Sequence, residues 1–182
     1  MEKCKITRRR LLTLGGIALG TALLPVQSLA SISTTRPREL LLSNLNTGEK
    51  IRTEFFNGKT YNKSELTRLN YFFRDYRANR IKTIDPKLFD QLYRLQVMLN
   101  NRKPVQLISG YRSQASNTAL RARSRGVAKH SYHTLGQAMD FHIEGVELSN
   151  IRKAALAMRA GGVGYYPSSN FVHIDTGPVR NW

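Results

Sequence analysis

The 182-residue chain has one cysteine, Cys4, and one tryptophan, Trp182. A lone thiol excludes an intrachain disulfide and any cysteine-rich zinc site. Acidic residues are scarce: 12 Asp and Glu stand against 29 Lys and Arg, a net charge of +17 at pH 7. So positive a surface repels basic partners and favours polyanions, whether nucleic acid, anionic lipid or an acidic cell-wall polymer. The apolar stretch Leu11–Leu24 has 14 residues, short of the roughly 20 that a spanning helix needs. Internal repeats and linkers are absent. With 41% apolar and 23% charged residues, wholesale disorder is excluded, and the length suits one domain with a small appendage.

The appendage is at the start. Thr7-Arg8-Arg9-Arg10 precedes the uncharged run Leu11–Leu24, which is diluted by Gly15, Gly16 and Gly20, and Ser28-Leu29-Ala30 follows as a small-x-small cleavage site. This is the layout of a secretory signal, and the paired arginines resemble the twin-arginine (Tat) type, which exports folded proteins. The pattern predicts a cleaved signal over residues 1–30 and a periplasmic domain over residues 31–182. The alternative is an uncleaved N-terminal anchor. Cleavage takes five of the 29 bases and one of the 12 acids, leaving a net charge of +13 and no cysteine. Such a chain has no stable membrane anchor and is indifferent to an oxidising compartment. Export also argues against a nucleic-acid partner, leaving lipid headgroups and peptidoglycan as the abundant polyanions. Oligomeric state leaves no trace in the pattern.

Within the domain, residues 31–38 read as a flexible lead-in. Glu39–Leu45 and Ile51–Phe55 are strand-like runs around the turn Asn46-Thr47-Gly48-Glu49. Leu66, Leu69, Phe73 and Tyr76 recur at helical spacing behind Ser64, taken as the N-cap. Asp85-Pro86 is a cap with proline at the first helical position, and Leu88, Leu92, Leu95 and Leu99 form the apolar stripe of the helix it starts. Val105–Ser109 is a short strand, Asn117–Arg125 a basic helix and Ser149–Ala160 an amphipathic one. In Gln137–Ile143, Met139, Phe141 and Ile143 alternate with Ala138, Asp140 and His142. Gly161-Gly162 stops the last helix, and strands at Val163–Tyr165 and Phe171–Asp175 follow. Helices early and most strands later predict an α+β domain with flanking helices on a small, largely antiparallel sheet.

The chemistry-bearing residues fall between Ser109 and Trp182. Ser131-Tyr132-His133-Thr134-Leu135-Gly136-Gln137-Ala138-Met139-Asp140 contains His-x6-Asp, and Phe171-Val172-His173-Ile174-Asp175 carries a further histidine in a strand. Two imidazoles and one carboxylate are a usual ligand set for catalytic zinc, with the fourth position left to water. One carboxylate leaves the ion net positive and able to acidify water. Spacing alone leaves open the plainer alternative of buried, hydrogen-bonded histidines.

Ser109-Gly110-Tyr111-Arg112-Ser113, then Ser131-x-His133-x-x-Gly136-x-Ala138-x-Asp140, then His173-x-Asp175, taken in that order, resemble the M15-type zinc peptidases of the D-Ala-D-Ala carboxypeptidase superfamily. The resemblance spans nearly the whole chain. It implies the DD-peptidase/hedgehog-like zinc fold and a zinc-dependent endopeptidase acting on peptidoglycan cross-link peptides. These are L,D diaminopimelate-to-diaminopimelate links and also D,D D-alanine-to-diaminopimelate links. It further implies Zn2+ held by His133, Asp140 and His173, and Arg112 contacting a substrate carbonyl or carboxylate. A guanidinium suits either task, offsetting oxyanion charge or clamping a carboxylate in a fork.

The chain departs from the family pattern at Asn170. Many members carry an acid there, three residues before the last histidine ligand, and an amide cannot take a proton from water. Asp175 is the expected substitute as general base, sharing a strand face with His173. Its alternative role is to orient a ligand histidine or to cap the turn before Gly177. His142, on the face of Asp140, is a further candidate for proton transfer, and His130 reads as a rim residue. Arg121, Arg123 and Arg125 read as a solvated face or as a guide for anionic glycan-peptide strands. Tyr165, Tyr166 and Trp182 are candidates for a groove lining. The missing acid also motivates a competing function, a non-catalytic zinc-containing peptidoglycan-binding module.

Overall fold

The computed structural model describes residues 35–124 and 126–182. The segment 1–30, with the proposed signal, and Arg125 lie outside the described residues. Seven strands form one sheet in the order β2-β1-β3-β4-β6-β5-β7. They are β1 (Pro37–Asn44), β2 (Lys50–Asn57), β3 (Val105–Ser109), β4 (Ala138–Ile143), β5 (Gly162–Tyr166), β6 (Phe171–Asp175) and β7 (Arg180–Asn181). Pairing is antiparallel except for β1 with β3 and β5 with β7. The helices are α1 (Lys63–Phe72), α2 (Pro86–Met98), α3 (Gln114–Arg123) and α4 (Leu148–Met158). This is the α+β class expected, and none of the described helices is long and apolar enough to cross a membrane.

The alternation in each central strand decides what faces the core. Met139, Phe141 and Ile143 of β4 and Val172 and Ile174 of β6 are buried in one apolar cluster with the leucines of α2 and Ile151 and Ala155 of α4. The residues between them, Asp140 on β4 and His173 and Asp175 on β6, project from the opposite face. One face of the sheet is thus sealed by α2 and α4, and the other carries polar chemistry. Asp85 caps α2 as expected, its side chain accepting from the Lys87 amide.

Several expectations are corrected. The first strand begins inside the predicted lead-in, at Pro37. The hairpin of β1 and β2 precedes the helices, so the chain is not helices first. Asn62, and not Ser64, caps α1, accepting from the Ser64 and Glu65 amides. Asn and Ser both cap well, and the choice rests on which of these two polar residues, two apart in the chain, adopts the extended backbone. Helix α3 starts three residues earlier than expected, because the Ser113 side chain accepts from the Ser116 amide. The two-residue β7 has no periodicity to betray it.

Candidate metal centre

The first metal-ligand candidate is set by a single turn. Ser131 caps a 3-10 turn over Tyr132–Leu135 and accepts from the His133 amide, and Gly136 closes it in the left-handed region at φ 72°. A Cβ on Gly136 would stand 2.6 Å from the Thr83 carbonyl oxygen. The spacing Ser-x-His-x-x-Gly is therefore the spacing of a cap, a functional side chain and a left-handed exit. The His133 Nδ1–H donates to the Gly110 carbonyl oxygen at 2.7 Å, and the Arg112 amide donates back to the His133 carbonyl oxygen at 3.1 Å. These bonds tie the turn to the end of β3 and leave His133 Nε2 as the free acceptor.

Asp140 and His173 meet by register. They are direct partners in the antiparallel pair of β4 and β6, so their side chains stand side by side on one face. His173 Nδ1 lies 2.8 Å from Asp140 Oδ1, His133 Nε2 lies 3.2 Å from the same oxygen, and the two ring nitrogens are 3.2 Å apart. All three residues are buried, and among the described residues they form a cluster able to offer three ligand atoms to one metal ion. Two ligands about 2.0 Å from a tetrahedral zinc stand roughly 3.3 Å from each other. The observed triangle therefore fits such an ion after a slight opening of its shortest edge.

Asp175 stands behind this triangle. It is fully buried, and its Oδ2 accepts from His173 Nε2 at 3.1 Å and from Arg180 Nη2 at 2.6 Å. Its Oδ1 accepts from the amides of Gly162 and Gly177 and from Arg180 Nη1. Both oxygens are thus committed. This geometry suits the alternative role, an acceptor that holds His173 so that Nδ1 points at the triangle. Arg112 does lie at the site. It is 8% exposed, with Nη2 3.8 Å from Asp140 Oδ2 and bonds to Asn117 Oδ1 and Ser109 Oγ.

Electrostatics follow from this packing. Burial opposes ionisation of Asp140, but His133 and His173 outweigh it and hold the carboxyl well below its usual range. Burial likewise opposes charging of His173, yet its hydrogen bonds to Asp140 and Asp175 prevail and raise it to about 9. Asp175 is pushed down against burial by His173, Arg180 and the two glycine amides. His142 is pushed down by burial, and its Nδ1 is buried without a partner. Nothing joins it to the triangle. His130 is exposed, as expected of a rim residue.

Four residues that no motif marks, or that read as something else in the sequence, complete the site. Arg180 grips Asp175 in a fork and lies over the rings of Tyr132 and Trp182, 4.8 and 5.0 Å from their centroids. Trp182 stands 5.3 Å from the His173 ring and donates from Nε1 to the Tyr166 hydroxyl. Gly162 read as a helix breaker; here its amide reaches Asp175, and a Cβ would collide with the Asp175 carboxylate at 2.5 Å. Asp75 accepts from the Ser113 amide and hydroxyl and so fixes the residue after Arg112. No motif marks a buried acid 38 residues away. Asn170 is exposed and left-handed at φ 53°, a conformation asparagine tolerates. A cleft of about 380 Å³ adjoins Arg112. A larger one, about 510 Å³, is lined by residues such as Glu39, Tyr93 and Asn101 and includes none of the site residues.

Residues 32–182 match the Peptidase M15 family model described as peptidoglycan L,D-endopeptidase MepK. A protein of Escherichia coli K12 named peptidoglycan L,D-endopeptidase MepK is 71% identical over 182 residues, covering 100% of both chains. One of Shigella flexneri with the same name is equally similar. A probable peptidoglycan L,D-endopeptidase MepK of Haemophilus influenzae is 48% identical over 176 residues, 96% of this chain and 95% of its own. No solved structure matches the chain.

Proposed function

The chain belongs to the M15 peptidase family of peptidoglycan L,D-endopeptidases, and from that premise we propose that it hydrolyses peptide cross-links of peptidoglycan with a zinc ion held by His133, Asp140 and His173. The observation that carries the reading is the triangle of Nε2, Oδ1 and Nδ1 atoms, with edges of 2.8 to 3.2 Å. Its donors, two imidazoles and one carboxylate, suit a divalent ion of borderline softness. Bound there, zinc supplies Lewis-acid polarisation of a peptide carbonyl and makes water acidic enough to ionise near neutral pH.

The chain's own groups do the rest. Gly110 and Asp175 each take the second ring proton of a histidine, so His133 and His173 present one lone pair apiece to the same point. Arg112 directs its guanidinium at the edge of the triangle and offsets negative charge that grows on a substrate oxygen. Asp175 acts here by holding His173, with Arg180 holding Asp175. Trp182, held by Tyr166, stands beside His173 on one side of the site. The L,D specificity is taken from the names of the relatives; D,D cleavage is an outcome of the test.

Protein lacking residues 1–30, loaded with zinc, should split a diaminopimelate-to-diaminopimelate linked muropeptide dimer into monomers, read by mass spectrometry. Chelation should stop it. Cleavage that survives chelation or His173→Ala overturns the mechanism. Stoichiometric zinc with murein sedimentation but no turnover would favour the non-catalytic binding module. The periplasmic address rests on Arg8-Arg9 and Ser28-Leu29-Ala30. A reporter fused after residue 30 should be exported, and Arg8→Lys with Arg9→Lys should retain it in the cytoplasm; export unaffected by those changes refutes a twin-arginine signal.

A further inference from the structure

The cleft beside Arg112 is lined on one side by a face of α3 and on the other by the segment after α1. Ala115, Ser116 and Ala119 form a floor of small side chains at helical spacing, and Arg77, Arg112 and Arg123 stand around it. No acidic residue lines the cleft. Neither Arg77 nor Arg123 makes an ion pair among the described residues; Arg77 is steadied over the Tyr76 ring, 4.3 Å from its centroid. Arg112 is buried, which opposes its charge, feels the opposing charges of Asp140 and Arg77 and leaves its Nε without a partner. The nearby acid, Asp75, spends both oxygens on backbone amides and the Ser113 hydroxyl. Of the three guanidiniums only Arg112 has an acidic partner, Asp140 at 3.8 Å, so the two exposed arginines beside it leave an excess of positive charge along the cleft that suits an anion.

We propose that this cleft is a carboxylate subsite of the peptidase, in which Arg77 and Arg123 join Arg112 to hold the free carboxylate that a diaminopimelate cross-link carries beside its amide nitrogen. The inference rests on the peptidase reading above. An amine-linked diaminopimelate centre carries its own carboxylate on the carbon that bears the linked nitrogen, so an anion held at Arg112 places the linking amide next to the triangle, on which Asp140 lies 3.8 Å from the same guanidinium. The α3 floor from Ala115 to Ala119 is roughly 6 Å long, the length of about one stem-peptide residue, and its small side chains leave the anion room. Arg77 and Arg123 act as binding residues that set specificity, since neither touches the reacting atoms.

The test uses two cross-linked dimers, one with that carboxylate free and one with it amidated. Zinc-loaded protein should favour the free acid at least tenfold in kcat/KM. Arg77→Gln and Arg123→Gln should each erase most of that preference through KM, with kcat on the free acid little changed. Equal cleavage of both dimers by the unmodified protein, or a parallel loss on both in Arg77→Gln, overturns the subsite. Calorimetric binding of the free-acid and amidated monomers separates this from failure of the peptidase reading. A preference for the acid that Arg77→Gln abolishes supports the subsite even without turnover, and equal binding refutes it.

Discussion

At the scale of single residues, the two histidines are held in different ways. His133 leans on a backbone carbonyl, which cannot be mutated away, whereas His173 leans on one carboxylate. Asp175→Ala therefore removes the side chain that, among the described residues, accepts from the His173 ring from behind, and Arg180 loses its anchor with it. Zinc affinity, measured by competition with a chromophoric chelator, should fall about 10- to 100-fold. A drop in kcat with zinc affinity unchanged would restore the general-base role to Asp175. That His133, Asp140 and His173 could be picked out together owed most to the resemblance; the spacing itself encodes a capped turn and a strand position, which leave buried, hydrogen-bonded histidines as an alternative. Asp75 and Arg180 were not legible: Asp75 reaches Ser113 across helix α2 and strand β3, and Arg180, though only five residues after Asp175, stands in no motif.

At the scale of elements, the site is a product of how β5 and β6 close on each other. The end of α4 must deliver a chain that passes hard against Asp175: a Cβ on Gly161 would fall inside the Asp175 carbonyl oxygen, and one on Gly162 inside the clamp of Asp175 and Arg180. Gln91 of α2 reinforces the same point, donating to the carbonyls of Ala160 and Asp175. Gly162→Ala should therefore cost roughly 1–3 kcal/mol of stability, a fall of about 2–12 °C in Tm, and weaken zinc binding as well. An unchanged Tm would mean that the contact relaxes freely. The two glycines illustrate what a sequence hides. They are natural helix breakers, and α4 does stop, at Met158 with Arg159 left-handed, so the visible reason masks the tighter steric one. The apolar stripe of α2 and the alternation of β4 carried no such second meaning and were read correctly.

At the scale of the whole molecule, the buried charges make stability depend on pH and on metal. His173 is raised above its usual 6.5 to about 9. The stability it contributes to the metal-free protein is complete below about 6.5 and is lost as pH rises through about 9. Asp140 and Asp175 are depressed below 3.8, so their contribution is present above about pH 4 and lost as pH falls further. Metal-free protein should thus be most stable between about pH 4 and 6.5. Zinc needs a neutral His173, so its binding releases a proton below pH 9, and the rise in Tm on adding zinc should grow from pH 6 to pH 9. A pH-independent rise would show that His173 is not a ligand. The overall class was legible from the pattern of elements. The order of the sheet, with β3 inserted parallel beside β1, depends on contacts remote in the chain that no local pattern carries.

The most direct measurement is the zinc content of the dialysed protein, by elemental analysis, for the unmodified chain and for His133→Ala, Asp140→Ala and His173→Ala, each confirmed folded by circular dichroism. One zinc per unmodified chain and loss of tight binding in all three variants is the expected result. A full equivalent of tightly held zinc in any one of the three variants would contradict the three-residue centre.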